Sequence, residues 1–364
     1  MKLLESQKAA LEYIREYAKT RKKDALKSIE HILKMSNISF DSFDYAISQL
    51  KFHGKVGLHF HPDRLDSKMK SVSENLLDQG IYKSQFETLI SNGSVSAYPG
   101  GARELWERKI YGNSYTSNTE NSQRPKYGAF DLMLHPDGPA PRFGSCYFIL
   151  KPNVSKRCTF TYLDSNQNQA EKGTIDEFDD ILASLLTEVF SRDFALGEHN
   201  LTITKLINHF ANNLSKPNED RVNKNPVRNL NHYIEAQIHG DINLKNDVEK
   251  LIADPSFQGT YTGNIIEKMC KKYDISLYWH YGFALLINEV PSDFRGATMP
   301  YLAKRISSKD YVDTSMIGIA ATSLKNNPNQ WNDFGTYEEI LQELKLLWHV
   351  LVKYGKPLKT FRND

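Results

Sequence analysis

The sequence predicts an α+β fold, in which a mixed, mainly antiparallel β core carries helical extensions at both ends. Three observations predict it. The run Tyr233-Ile234-Glu235-Ala236-Gln237-Ile238-His239 alternates with period 2, with isoleucine and alanine on one strand face and polar groups on the other. Further strand-like runs cluster at 127–134, 143–150 and 159–163. Helical stripes bracket this core: Leu3, Leu4, Ala9, Leu11, Ile14 and Tyr17, then Leu26, Ile29, Ile32, Leu33 and Met35 before it, and the amphipathic Ile340 to Val352 after it. The expected division is a helical segment at 1–52, a catalytic α+β core at 53–290 and a helical segment at 291–364.

The elements follow in order. Phe43 to Leu50 adds a third stripe to the N-terminal segment. Residues 55–61 read as a strand stopped by Pro62. Helical pattern spans 71–79 and stops near Gly80, and residues 102–110 form a short helix with Trp106. The turn-rich 91–101 and the polar 113–125 read as loops. Helices are expected at 175–190 and 203–213, and a polar, proline-bearing loop at 214–229. Gly240 ends the Glu235 strand, and Asn243 or Asp247 caps a helix over 243–252. A helix at 263–272, a strand or hairpin arm at 275–287 and a mostly helical 297–354 complete the chain.

Composition bounds the function. The chain of 364 residues is 40% apolar and 25% charged with a net charge of +2, which gives no strong call for nucleic acid or an anionic membrane. No run approaches the roughly 20 apolar residues of a membrane span. The N-terminus mixes charges of both signs, unlike a signal peptide. The expected location is cytoplasmic, or the cytosol of a target cell reached without a classical signal peptide. Cys146, Cys158 and Cys270 fit a reducing compartment.

Four segments carry candidate chemistry. In Leu58-His59-Phe60-His61-Pro62-Asp63-Arg64, a strand aims His59 and His61 to one face, where they could hold a metal or grip a ribose or phosphate. Arg124, Lys126 and Arg142 stand beside glycines at strand entrances, where small residues admit a ligand and arginine matches phosphate. Gln85 and Glu87 have Q-x-E spacing but sit in helical pattern, so they diverge, and the segment Ser91 to Ser96 is a candidate pocket rim. Glu235 is a mid-strand carboxylate, costly there without a partner or a task.

Six blocks occurring in order resemble an uncharacterised bacterial domain family: HFHPDR, YKSQFETLISNGS, AYPGG, RPKYGAFDL, GPAPRFGSCYF and YIEAQIHG. A second resemblance is to ADP-ribosyltransferase toxins. Their catalytic strand and turn read glutamate, hydrophobic, x, hydrophobic, x, glycine, as Glu235 to Gly240 do here. That resemblance implies an ADP-ribosyltransferase-like core and an enzyme that cleaves NAD as a substrate. ADP-ribose would pass to a protein or other macromolecular acceptor, as in a toxin or effector. Glu235, Tyr127 and His61 would be catalytic. His59, Arg64, Arg142, Ser145, Tyr233 and Gln237 would bind NAD, and no metal is expected. The chain departs from the arginine class in lacking a clear Ser-Thr-Ser and in carrying Tyr233 two residues before the glutamate. The alternatives are a metal-dependent hydrolase using His59, His61, Asp63 and a distant His239 or Glu235, and a non-enzymatic interaction module.

Overall fold

The computed structural model describes residues 3–90, 97–167, 169–216 and 219–361. Ser91 to Ser96 therefore lie outside the described residues, as does part of the loop expected at 214–229.

Eight strands form the central sheet: β1 (Val56–Phe60), β2 (Lys126–Phe130), β3 (Cys146–Leu150), β4 (Cys158–Tyr162), β5 (Lys172–Thr174), β6 (Ile234–Ile238), β7 (Val248–Ala253) and β8 (Ser276–Trp279). Their spatial order is β8-β7-β3-β1-β2-β6-β4-β5. β7 and β8 run parallel, and the other adjacent pairs are antiparallel. The fold is mixed α+β with a mainly antiparallel sheet.

Register sorts the side chains by face. Gly57 lies opposite Ala129, His59 opposite Tyr147, Tyr127 opposite Gln237, Ala129 opposite Glu235, and Thr159 and Thr161 opposite Gln237 and Glu235. Directly opposed residues share a face, so His59, Tyr127, Tyr147, Thr159, Glu235 and Gln237 form one polar-rich surface. The opposite face carries Leu58, Phe60, Phe130, Phe148, Phe160, Ile234, Ala236 and Ile238. It builds the main core with α1 (Glu5–Met35), α2 (Phe40–His53), α3 (Val72–Gln79), α5 (Asp179–Arg192), α6 (Ile203–Asn213) and α7 (Tyr261–Tyr273). The N-terminal helices are thus part of the sheet's packing rather than an appendage. Burial of that apolar face drives the assembly.

The polar face is also buried, because other elements cover it. α4 (Ala102–Tyr111) lies across one end, where the first half of α1 packs on it through Ala10, Ile14, Ile110 and Tyr111. At the other end stands a second core, built from Phe283 to Leu358 together with Leu230. It contains α8 (Met299–Ile306), α9 (Thr314–Asn326) and α10 (Tyr337–Tyr354), with a small antiparallel pair, Ala284–Leu286 with Tyr311–Asp313. Trp348 of α10 joins the two cores. Its indole N–H donates to the Pro141 carbonyl at 3.0 Å, and its ring meets His61 and Phe283 edge-on.

Three expectations need correction. The helix expected over 243–252 is a single turn, Leu244–Asp247, followed by β7. Asn243 does cap that turn, accepting from the Lys245 and Asn246 amides, but Val248 to Ala253 is claimed by pairing with β3 and β8. The hairpin arm over 275–287 is two strands in separate sheets, Ser276–Trp279 and Ala284–Leu286, divided near His280. The polar 113–125 is not simply a surface loop, since Tyr115 and Arg124 within it are fully buried. Among the described residues, no helix is long and apolar enough to cross a membrane.

Candidate active site

A cleft of about 480 Å³ opens on the polar side of the sheet. His61, Tyr127, Arg142 and Glu235 line it, although they lie up to 174 positions apart (235 minus 61). Arg103, Trp106, Asp164 and Lys345 share the wall.

Glu235 is the chemical focus. β6 holds it mid-strand, opposite Ala129 and Thr161. One carboxylate oxygen accepts from Ser165 Oγ at 2.5 Å and from Gln237 Nε2 at 2.8 Å. Burial first, and then the neighbouring Asp164 charge, pushes its pKa up to about 7, and the two donors only partly offset this. Such a carboxyl exchanges protons near neutral pH.

A buried chain of hydrogen bonds fixes Glu235 from behind. Gln237 accepts from Thr159 Oγ1 at 2.8 Å and donates to Thr161 as well as to Glu235. Since the Thr159 hydroxyl is spent on Gln237, His239 Nε2 must be the donor in its 3.1 Å contact with Thr159. His239 Nδ1 then accepts from Tyr115 at 2.7 Å. Burial holds His239 neutral, with its pKa down to about 3. Gln237 therefore positions the carboxylate and does not line the cleft. Tyr233 behaves likewise: it lies on the buried side and donates to Asp164 at 2.9 Å.

The two histidines have different roles. His59 Nδ1 donates to the Gly144 carbonyl at 2.9 Å, and Nε2 accepts from the Ala140 amide at 3.2 Å. Both nitrogens are engaged by backbone, so His59, though at the cleft floor, has no free polar atom for a cofactor. The glycines around it serve this contact. A Cβ on Gly138 (φ +81) would come within 2.4 Å of His59 Nε2, and one on Gly144 within 2.3 Å of the Phe60 backbone. The two glycines of the GPAPRFG block thus make room for the His59 ring and the Phe60 backbone, while Ala140 of the same block lines the cleft. His61, by contrast, faces the cleft and packs against Trp348, and burial lowers its pKa well below the ordinary value.

Tyr127 donates to Glu107 at 2.8 Å, and the Arg103 guanidinium covers its ring at 4.6 Å. Glu107 also accepts from Arg124, a fully buried pair at 2.9 Å. Arg124 is therefore a structural ion, and Tyr127 is anchored at its hydroxyl. Arg64 and Ser145 do not line the cleft. Arg64 pairs electrostatically with Asp63, and Ser145 is buried with its carbonyl accepting from His280 Nε2 at 2.9 Å. Arg142 does line it, held by Asn231 at 3.0 Å, with its Nε buried and unpartnered.

Gln85 and Glu87 both line the cleft from the short helix Gln85–Thr88, and Glu87 also caps that helix by accepting from the Ser84 amide at 2.7 Å. Among the described residues no group of three or more His, Cys, Asp and Glu could hold a metal ion. The hydrolase alternative loses its His59 ligand to the backbone contacts as well.

The two blocks HFHPDR and YIEAQIHG, separated by the sheet's topology, meet on adjacent sides of one cleft. A family profile matches residues 55–354. The chain belongs to the DUF3626 family. That family is described as a protein of unknown function, and its match takes in both the sheet and the second core. No curated protein matches the chain.

Sequence reasoning missed Arg103, Trp106, Asp164, Ser165, Lys345 and His349. Asp164 and Ser165 had one readable signal, a polar pair directly after a strand. Lys345 and His349 had another: they are four apart in α10, a lysine and a histidine interrupting the apolar run from Leu344 to Val350.

Proposed function

We propose that this DUF3626 chain is an ADP-ribosyltransferase-like enzyme that cleaves NAD and passes ADP-ribose to a macromolecular acceptor, in the manner of a toxin or effector. One observation carries the reading: Glu235, its pKa raised to about 7 chiefly by burial, shares a cleft of about 480 Å³ with Arg103, Arg142 and Lys345. A carboxylate among cations suits a ligand with a charge-developing sugar and an anionic linker. The interaction-module alternative predicts no pocket joining the segments of His61, Tyr127 and Glu235, so their shared cleft counts against it.

In this mechanism Glu235 accepts from a ribose hydroxyl and stabilises positive charge on the sugar as the bond to nicotinamide breaks. The leaving nicotinamide takes the bonding electron pair and becomes neutral. The acceptor then forms a bond to the same carbon, and its proton passes to Glu235, whose raised pKa suits that task. Ser165 and Gln237 hold the carboxylate in place throughout.

The test is Glu235→Gln. The variant should fold as the parent does and lose NAD cleavage by about 10²-fold or more, because the near-isosteric amide cannot balance the charge. NAD should raise the melting temperature of both proteins without added metal. Full cleavage by the variant, or a parent that neither cleaves nor is stabilised by NAD, would reject the reading.

A further inference from the structure

Where α10 meets the Arg142 loop, basic groups gather without acids to match. Lys345 and Arg142 line the cleft, and His349 follows Lys345 by one helical turn. Arg295, from the segment between the small strand pair and α8, faces Arg142. Each of Arg142, Arg295 and Lys345 lowers the pKa of His349, which places all four within electrostatic reach.

Buried polar atoms without partners mark the same spot. Arg142 Nε and Arg295 Nε have no hydrogen bond, and neither does either ring nitrogen of His349, which is only 2% exposed. The Arg142 backbone lies near His349 and favours its charged form, the smallest of the influences on it, and gives the ring no well-formed hydrogen bond. A buried imidazole with both nitrogens idle is costly. Like-charged groups packed together raise the cost further. Among the described residues, Asp164 is the acid that acts on Lys345, and it already accepts from Tyr233. His61 faces His349 from the sheet side with Arg64 behind it, and the acid on that side, Asp63, is already matched by Arg64.

An anion would answer all of these at once. Arginine forks suit phosphoryl oxygens, and lysine adds a point charge. We propose that Arg142, Arg295, Lys345 and His349 form a phosphoryl-binding subsite, three of the four supplied by the C-terminal segment. Assigning it to the pyrophosphate end of NAD rests on the preceding reading, whereas the affinity for phosphoryl groups stands on its own observations. The subsite puts the second core to work: it closes the ligand cleft with charge.

The test uses the full chain with inorganic pyrophosphate and with ADP, by calorimetry, at matched ionic strength in chloride. Both probes should bind. Arg295→Gln and Lys345→Gln should each weaken binding about tenfold or more, the worth of a charge-assisted contact. Lys345→Gln should also raise the melting temperature of the free protein, because it relieves repulsion. Unchanged pyrophosphate affinity in the Arg295→Gln/Lys345→Gln double variant would overturn the subsite. A fall in the free protein's melting temperature would do the same, since a structural role predicts that fall. Pyrophosphate binding that depends on these residues, in a protein that leaves NAD intact, would uphold the subsite and sink only the transferase. NAD cleavage that ignores both substitutions would uphold the transferase and overturn the assignment of this subsite to the pyrophosphate of NAD.

Discussion

Glu235 titrates late because burial removes water from its charged form more than Ser165 and Gln237 restore. The sign of the consequence follows. The folded pKa, about 7, exceeds the ordinary carboxyl value of 4.5, so the folded state binds this proton more tightly than the unfolded chain. Stability from that proton is full below about pH 4.5 and is lost as pH rises through 7, at a cost of about 3 kcal/mol. Glu235→Gln should therefore match the parent's melting temperature at pH 5 and exceed it at pH 8.5, as thermal denaturation at the two values would record. An equal difference at both would mean that Glu235 ionises normally. For activity the ionised form is needed, so kcat/KM for NAD should climb through about pH 7 and level off above it. Much of this residue was legible in the sequence, since a glutamate alternating with isoleucines announces a polar strand face. What was not legible is that the face is sealed. Nothing in YIEAQIHG reveals that Tyr115 and Thr159 complete its hydrogen bonds from other elements. For the same reason His59 and His61 look alike in HFHPDR, yet only the first meets the Gly144 and Ala140 backbone.

At the scale of elements, α4 carries the cleft wall through buried ion pairs, Arg124 meeting Glu107 at 2.9 Å and Glu104 at 3.7 Å. Arg124 donates to Glu107 and to the Thr116 carbonyl, and lies over Phe86 at 4.1 Å. Removing one partner strands the other's charge, so Arg124→Ala should cost about 3–5 kcal/mol by chemical denaturation. Arg124→Met with Glu107→Gln should recover much of that loss. If the double change costs as much as the single one, packing rather than charge holds the wall. Helices with a wide apolar stripe, such as 203–213, were readable from periodicity alone. The strand Val248–Ala253 was not, because Val-Glu-Lys-Leu-Ile-Ala fits a helical stripe as well as a strand. Its pairing on both sides with β3 and β8 decided the matter, and such pairing is a long-range fact.

For the whole molecule, the decisive arrangement is two cores meeting over a polar surface. Trp348 is the rivet, in contact with Phe283 in its own core and with His61 and Pro141 in the other. Trp348→Ala should cost about 3–5 kcal/mol and leave Pro141 without its donor. It should also weaken NAD-induced stabilisation, because Lys345 sits one turn away on the same helix. A variant that is destabilised but keeps the full NAD shift would mean that the seam and the cleft are independent. The α+β class was legible from strand and helix periods, whereas the two-core division was not, since both cores draw on equally ordinary apolar residues.

The sheet's two faces also amount to a parity code. In β1, β2, β3, β4 and β6, the residues of the polar surface are odd-numbered and those of the apolar core even-numbered. One extra residue inside β6 would break that code downstream of the insertion, turning polar groups such as Gln237 towards the oil and isoleucines towards the cleft. Most folds punish such a slip once, by exposing grease to water. Here both sides of the sheet are enclosed, so the slip is punished twice, and changes of chain length are confined to the turns.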